Sequence, residues 1–137
     1  MSEASPMATI ERLVRATNAH DVDGIVACFA EGYALEAPLH PARSFRGKQQ
    51  VRTNWTQILG AVPNLEARLV GSACDGGAAW TEWEMVGTRR DGAAQCMRGV
   101  FIFRVEGDLI VSGRMFLEPV DTAAADMNEG LRQVLKS

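Results

Sequence analysis

The sequence is poor in the residues that would tie it to a metal, a disulfide framework or a polyanion. Its three cysteines, Cys28, Cys74 and Cys96, are widely spaced with no C-x-x-C pair, which excludes both a disulfide scaffold and a zinc site of ordinary spacing. The two histidines, His20 and His40, are far apart, too few for a histidine-based metal centre; neither a metal nor a cofactor is expected. There is no apolar run of the roughly 18 residues needed to cross a bilayer as a helix, so no membrane partner is expected. The first residues, Met1 to Met7, lack the positive start and apolar stretch of a leader, and with unpaired cysteines this predicts a cytoplasmic protein. Fourteen Lys and Arg stand against seventeen Asp and Glu, a net charge of -3, with no basic block to follow a phosphate backbone; nucleic acid is not an expected partner.

What is present suits one ordinary domain. At 137 residues and 47% hydrophobic, the chain is long enough to bury roughly 68% of its unfolded surface without staples. Ser5-Pro6 opens a segment with Ile10, Leu13, Val14 and Thr17 at helical spacing, predicting a helix to about Ala19. His20-Asp21 breaks it, and Asp21 or Asp23 can cap a second, short helix carrying Ile25, Val26 and Phe29 and ending near Gly32. Tyr33 to Ala37 reads as a strand, and Pro38 through Pro41 to Gly47 as a loop. Lys48 to Leu59 returns to helical spacing through Val51, Trp55 and Ile58.

The period then changes. Leu65–Cys74, Ala78–Arg89, Ala94–Val105 and Leu109–Glu118 are strand candidates, separated by Asp75-Gly76-Gly77, Arg90-Asp91-Gly92 and Glu106-Gly107-Asp108 turn signals. Connections this short require antiparallel pairing. A tail, 121–137, carries Met127, Leu131, Val134 and Leu135 on one helical stripe that must dock to be stable. Helices followed by a meander of long strands predict an α+β domain with three N-terminal helices on one face of a curved antiparallel sheet, plus a C-terminal helix. The domain spans 1–137, with its core at about 8–120.

Alternation along the strands sorts the side chains without further knowledge. One face holds Thr81, Trp83, Met85, Met97, Phe101, Phe103, Gly113, Met115 and Leu117. The other holds Glu82, Glu84, Arg98, Val100, Ile102, Arg104, Arg114, Phe116 and Glu118. The simplest arrangement puts the apolar set on the concave side and lets arginines and glutamates pair across strands on the convex side.

The run Asn18-Ala19-His20-Asp21-Val22-Asp23-Gly24-Ile25-Val26-Ala27-Cys28-Phe29-Ala30, with Leu35-Glu36-Ala37-Pro38, resembles the front of the ketosteroid isomerases and their relatives in the nuclear-transport-factor-2-like superfamily. That group includes SnoaL-like polyketide cyclases and limonene epoxide hydrolase. Trp83-Glu84-Met85-Val86-Gly87-Thr88, Gly99-Val100-Phe101-Ile102-Phe103-Arg104 and Ile110-Val111-Ser112-Gly113-Arg114-Met115-Phe116 resemble SnoaL-like strands. The resemblance covers about residues 8–120 and implies a cone-shaped, cystatin-like pocket, usually in a homodimer. It does not carry the isomerase chemistry, which needs an Asp base, a Tyr and a protonated Asp. Those positions hold Ala37, Leu13 and Phe101, none of which can move a proton. For the Asp-Arg-Asp arrangement of limonene epoxide hydrolase, Glu82 or Glu84 falls near the first two positions, but the last is Met115.

The expected function is therefore the binding of a small, mostly apolar molecule, polyketide-like, aromatic or steroid-like. Its expected pocket comprises Leu13, Leu35, Ala37, Trp55, Trp83, Met85, Met97, Phe101, Met115 and Leu117. The alternative is a non-catalytic dimeric module whose pocket is filled by its own side chains. If the protein is an enzyme of the isomerase, cyclase or hydrolase type, His40 is the titratable candidate near the pocket mouth, and Glu82 with Glu84 form the only carboxylate pair worth testing. Glu36 has the parity that faces away from the pocket, Asn54 and Tyr33 are further polar possibilities, and Cys96 has no activating neighbours in the sequence.

Overall fold

The computed structural model describes residues 5–123 and 125–136. Helix α1 (Pro6–Asn18) starts where Ser5 Oγ accepts from the Met7 amide at 3.2 Å and Pro6 occupies the first turn, where a missing N–H costs nothing. Its buried residues, Thr9, Ile10, Leu13 and Thr17, form one stripe. The helix ends because His20 turns into the left-handed region at φ 56° and its Nε2 donates to Leu65 O at 2.8 Å. Asp21 then caps α2 (Val22–Val26), accepting from the Gly24 amide at 3.0 Å.

Helix α2 stops sooner than helical spacing suggests. The chain is already extended at Phe29, where β1 (Phe29–Glu36) begins, because Cys28 O accepts from the Ile110 amide at 2.8 Å and thereby joins the sheet. The loop that follows contains a single 3-10 turn (Pro41–Arg43) and the two-residue strand β2 (Phe45–Arg46) before α3 (Lys48–Ala61). Four long strands complete the body: β3 (Glu66–Asp75), β4 (Ala78–Thr88), β5 (Ala94–Glu106) and β6 (Leu109–Pro119). They lie within two residues of the boundaries expected from alternation and turn chemistry.

The strands make one six-stranded sheet in the order β2-β1-β6-β5-β4-β3. All pairings are antiparallel except β1 with β6, which run parallel with Leu35 opposite Gly113. No hairpin links those two strands, so no short connection dictates their direction. Strand β5 is kept close to β6 by Gly99, whose φ is 151°; a Cβ there would lie 2.0 Å from Phe116 O. Only glycine tolerates that conformation and approach. Helix α1 packs on β3, β4 and β5, and α3 packs on β1, closing one face of the curved sheet. The core lies between them, with Ile10, Ile25, Trp83 and Ile110 almost wholly enclosed.

The edge strand β3 is partly covered by a side chain. Asn18 Nδ2 donates to Ala67 O at 2.8 Å, and the Ala67 amide donates to Asn18 Oδ1 at 2.7 Å, an amide standing in for a seventh strand. Beyond β6, helix α4 (Met127–Leu135) is capped by Asp126, which accepts from the Glu129 amide at 3.0 Å. Its apolar stripe is not buried against the body: Met127, Val134 and Leu135 are all exposed.

Candidate functional site

The concave face of the sheet and the helices above it enclose a cavity of about 310 Å³. Its floor is built from alternate residues of adjacent strands. Trp83 and Met85 come from β4, Met97, Phe101 and Phe103 from β5, and Met115 and Leu117 from β6. Leu13 of α1, Val51 and Trp55 of α3, and Phe29 and Leu35 of β1 form the other walls. Nine of the ten residues expected in the pocket line it. The tenth, Ala37, is buried but lies outside the lining, because β1 ends at Glu36 and the chain turns away into the loop.

The floor is held by aromatic packing. Phe101 and Phe103, two residues apart on one face of β5, stack with centroids 5.0 Å apart, and the Trp83 ring meets Phe101 edge-on at 6.3 Å. Polar atoms in this floor are satisfied. Trp83 Nε1 donates to Thr81 Oγ1 at 2.8 Å, and Thr81 Oγ1 donates to Phe101 O at 2.7 Å, which accounts for a fully buried threonine.

Tyr33 differs. Its ring is wedged edge-on against Phe29, with centroids 4.6 Å apart, and tilted against Phe45 at 6.0 Å; only 3% of the residue is exposed. No hydrogen bond joins its hydroxyl to any described residue, the oxygen is not fully sealed in the packing, and the residue lines the cavity. Gly113 makes room for it: a Cβ at that position would stand 2.6 Å from Tyr33 Oη. Burial pushes the pKa of this phenol well above its ordinary value, so it stays protonated.

The rim is polar. Arg43, Asn54 and Glu118 reach it, and Glu118 Oε1 pairs with His40 Nε2. Strict alternation puts Glu118 on the convex side with Arg98. At the end of β6 it instead reaches the rim, where the loop carrying His40 comes down onto it. Asn54 Oδ1 is already engaged by Gln50 Nε2 at 2.7 Å.

Of the three candidate catalytic residues, His40 is not in the lining and meets the site only through Glu118; the other two stand elsewhere. Neither Glu82 nor Glu84 lines the cavity. Glu84 is on the convex face between Arg68 Nε at 2.8 Å and Arg98 Nε at 2.7 Å. Those two guanidinium hydrogen bonds, Arg68 first, hold its carboxyl below the ordinary range. Glu82, beside it, is exposed. Glu36 also faces outward and binds Arg114 Nε at 2.9 Å. Among the described residues, no group of three His, Cys, Asp or Glu side chains is arranged to hold a metal ion, and no helix is long and apolar enough to cross a membrane.

A curved six-stranded sheet roofed by helices over an apolar cavity defines the cystatin-like, nuclear-transport-factor-2-like class of α+β protein. The chain belongs to the SnoaL-like domain family, whose model matches residues 10–113. No curated protein sequence matches it. Among solved structures it is similar to a putative SnoaL-like polyketide cyclase from Jannaschia sp. CCS1, with TM-score 0.71 and 15% identity over 86% of this chain and 92% of that one. It is likewise similar to an epoxide hydrolase/cyclase-like enzyme of pyran ring formation in the polyether salinomycin, with TM-score 0.71, 18% identity, and coverage of 90% and 92%. A third is a Mycobacterium tuberculosis protein solved in complex with estradiol-17beta-hemisuccinate, with TM-score 0.69, 19% identity, and coverage of 92% and 98%.

Proposed function

We propose that this SnoaL-like domain, with its core at about 8–120 and a helical tail over 121–137, binds a small, mostly apolar molecule in its concave cavity. The cavity itself carries the reading. At about 310 Å³ it is open rather than filled by its own methionines and aromatics, and it falls within the size range of small-molecule sites, about 300 to 1,000 Å³. A self-filled interaction module would have no such space. The relatives described as a cyclase, as an epoxide hydrolase/cyclase-like enzyme and as a steroid-ester complex support a ligand of polyketide, aromatic or steroid character.

Ketosteroid isomerisation by the Asp, Tyr and protonated-Asp mechanism is not supported, because Ala37, Leu13 and Phe101 supply no acid or base. For an enzymatic role, His40 paired with Glu118 is, among the described residues, the proton-moving pair at the mouth. Glu84 acts instead in cross-strand pairing with Arg68 and Arg98 on the convex face, where Glu82 is exposed. That face also exposes Trp80, half accessible, opposite Ile102 on β5. We read it as the contact surface of a homodimer. Three free cysteines suit a reducing, cytoplasmic setting.

Trp55 and Trp83 in the walls give the test its signal. Titration with an apolar polycycle such as fluorene should change tryptophan fluorescence saturably. Met115→Trp, which places an indole in the cavity, should abolish the binding. Unchanged affinity in that variant refutes the pocket assignment.

A further inference from the structure

The Tyr33 hydroxyl belongs to a nearly buried residue of the cavity lining and has no hydrogen-bond partner among the described residues. Buried hydroxyls in proteins almost always have a partner, and the surrounding structure obeys this rule: Trp83 is paired with Thr81, and Thr81 with a backbone carbonyl. The Tyr33 hydroxyl has none among the described residues, although its ring is fixed on two sides by Phe29 and Phe45. Gly113, in turn, leaves that oxygen the room it occupies, since a Cβ there would stand 2.6 Å from it.

We propose that the Tyr33 hydroxyl is the recognition donor of the cavity and that its ligand is a neutral, ring-sized apolar molecule carrying a carbonyl oxygen. The proposal rests on the reading of the cavity as a ligand site and specifies what that site selects. Three observations narrow the chemistry. First, the hydroxyl is borne on β1, whereas the position at which an isomerase of this fold carries its tyrosine is Leu13, so the polar contact belongs to a different part of the wall. Second, Arg43, the cationic side chain of the lining, is exposed at the rim. A carboxylate placed at Tyr33 would be buried without a countercharge, which is strongly unfavourable.

Third, the hydrogen-bond count separates a ketone from an alcohol. The other side-chain oxygens near the cavity already have partners among the described residues: Thr81 Oγ1 donates to Phe101 O, Asn54 Oδ1 accepts from Gln50, and Glu118, at the rim, pairs with His40 through Oε1. A carbonyl takes the phenol O–H and brings no donor of its own. An alcohol at the same place leaves one O–H unpaired, either its own or that of Tyr33. The selected functional group is thus a ketone, quinone or ester carbonyl rather than a hydroxyl or an acid.

Fluorene, fluorenone and fluorenol share one apolar skeleton and test this directly. Binding is followed by tryptophan fluorescence and by the infrared carbonyl stretch of bound fluorenone. The wild-type protein should favour fluorenone over fluorene by about three- to tenfold, the worth of one net hydrogen bond, with fluorenol weaker than fluorenone. Tyr33→Phe should bind fluorene undiminished and lose the preference. The carbonyl stretch should lie lower in the wild-type complex than in the variant, and lower than in an apolar solvent, a comparison that decides the matter even if the variant does not fold. Equal binding of fluorene and fluorenone, a preference that survives Tyr33→Phe, or an unshifted stretch overturns the role of Tyr33 while leaving the ligand site intact. Binding of none of the three overturns the ligand site and this inference with it.

Discussion

Gly99 is the position at which one added methyl group should do the most damage. Its φ of 151° belongs to a region essentially closed to side chains, and an ideal Cβ would lie 2.0 Å from Phe116 O and 2.7 Å from Leu117 Cα. Both contacts are backbone atoms of the neighbouring strand, so no rotamer change relieves them. Gly99→Ala must hold strained dihedrals, costing about 1–3 kcal/mol, and push β6 away from β5, an overpacking cost of about 1–3 kcal/mol. Both act together here, giving an expected loss of about 3–5 kcal/mol. For a domain of this size that lowers Tm by on the order of 10–15 °C. Thermal and urea unfolding followed by circular dichroism measure it. Gly60→Ala is the control: that glycine is exposed in α3 with nothing within 4 Å of an added methyl, and replacing it should stabilise the helix slightly, by up to about 1 kcal/mol. If Gly99→Ala and Gly60→Ala unfold at the same temperature, the close approach of β5 and β6 is refuted.

Asn18→Ala strips both partners from the buried Ala67 peptide at the sheet edge, and should cost about 1–3 kcal/mol in chemical denaturation; no loss would mean that water replaces the amide there. Glu84 should contribute to acid sensitivity with a definite sign. Its carboxyl is held below the ordinary 4.5 by Arg68 and Arg98, so its stabilisation is complete above about pH 4.5 and is lost as the pH falls towards the depressed folded value. Unfolding free energy measured from pH 7 to pH 3 should fall less steeply for Glu84→Gln, and identical slopes would contradict the pairing. Trp80→Glu should convert a dimer to a monomer in sedimentation velocity without disturbing fluorene binding, since Trp80 lies on the convex face. An unchanged sedimentation coefficient would remove the convex face as the contact surface.

The meander was legible because its signals were local and mutually consistent. Alternation and Gly-containing turns place β3 to β6, and parity puts Trp83, Met85 and Met115 over one cavity. Where signals depended on distant partners, the sequence misleads. Phe29 keeps helical spacing after Ile25 and Val26, yet it begins β1, since Cys28 already accepts from Ile110 at the far end of the chain. Nothing within ten residues of Phe29 reports that contact. The parallel pairing of β1 with β6 is hidden for the same reason. Gly99 is a similar case: in sequence it is one glycine inside a strand pattern, and its role follows only from where the Phe116 carbonyl passes.

The site shows the same division with a sharper consequence. Apolar lining residues are found by periodicity because many of them repeat one pattern, and losing Ala37 from the lining changes little. Polar residues act singly and have no period. Glu118 has the convex parity, and only the descent of the His40 loop onto the strand end brings it to the rim. Tyr33 looks like any tyrosine opening a strand, and no spacing distinguishes it from a packed core aromatic. What distinguishes it is a missing partner, and a missing hydrogen bond is a property of the whole surrounding structure. Gly113 comes closest to a signal in the sequence, a glycine on the parity of β6 that otherwise carries Leu109, Val111, Met115 and Leu117, but its meaning depends on Tyr33 lying opposite. The pair should therefore behave as one unit: Gly113→Ala should cost about 1–3 kcal/mol in the wild-type background and less in Tyr33→Phe, where the oxygen 2.6 Å from the new methyl is absent. Additive losses in that double-mutant cycle would mean that the glycine serves Phe103, also close to it, and not the hydroxyl.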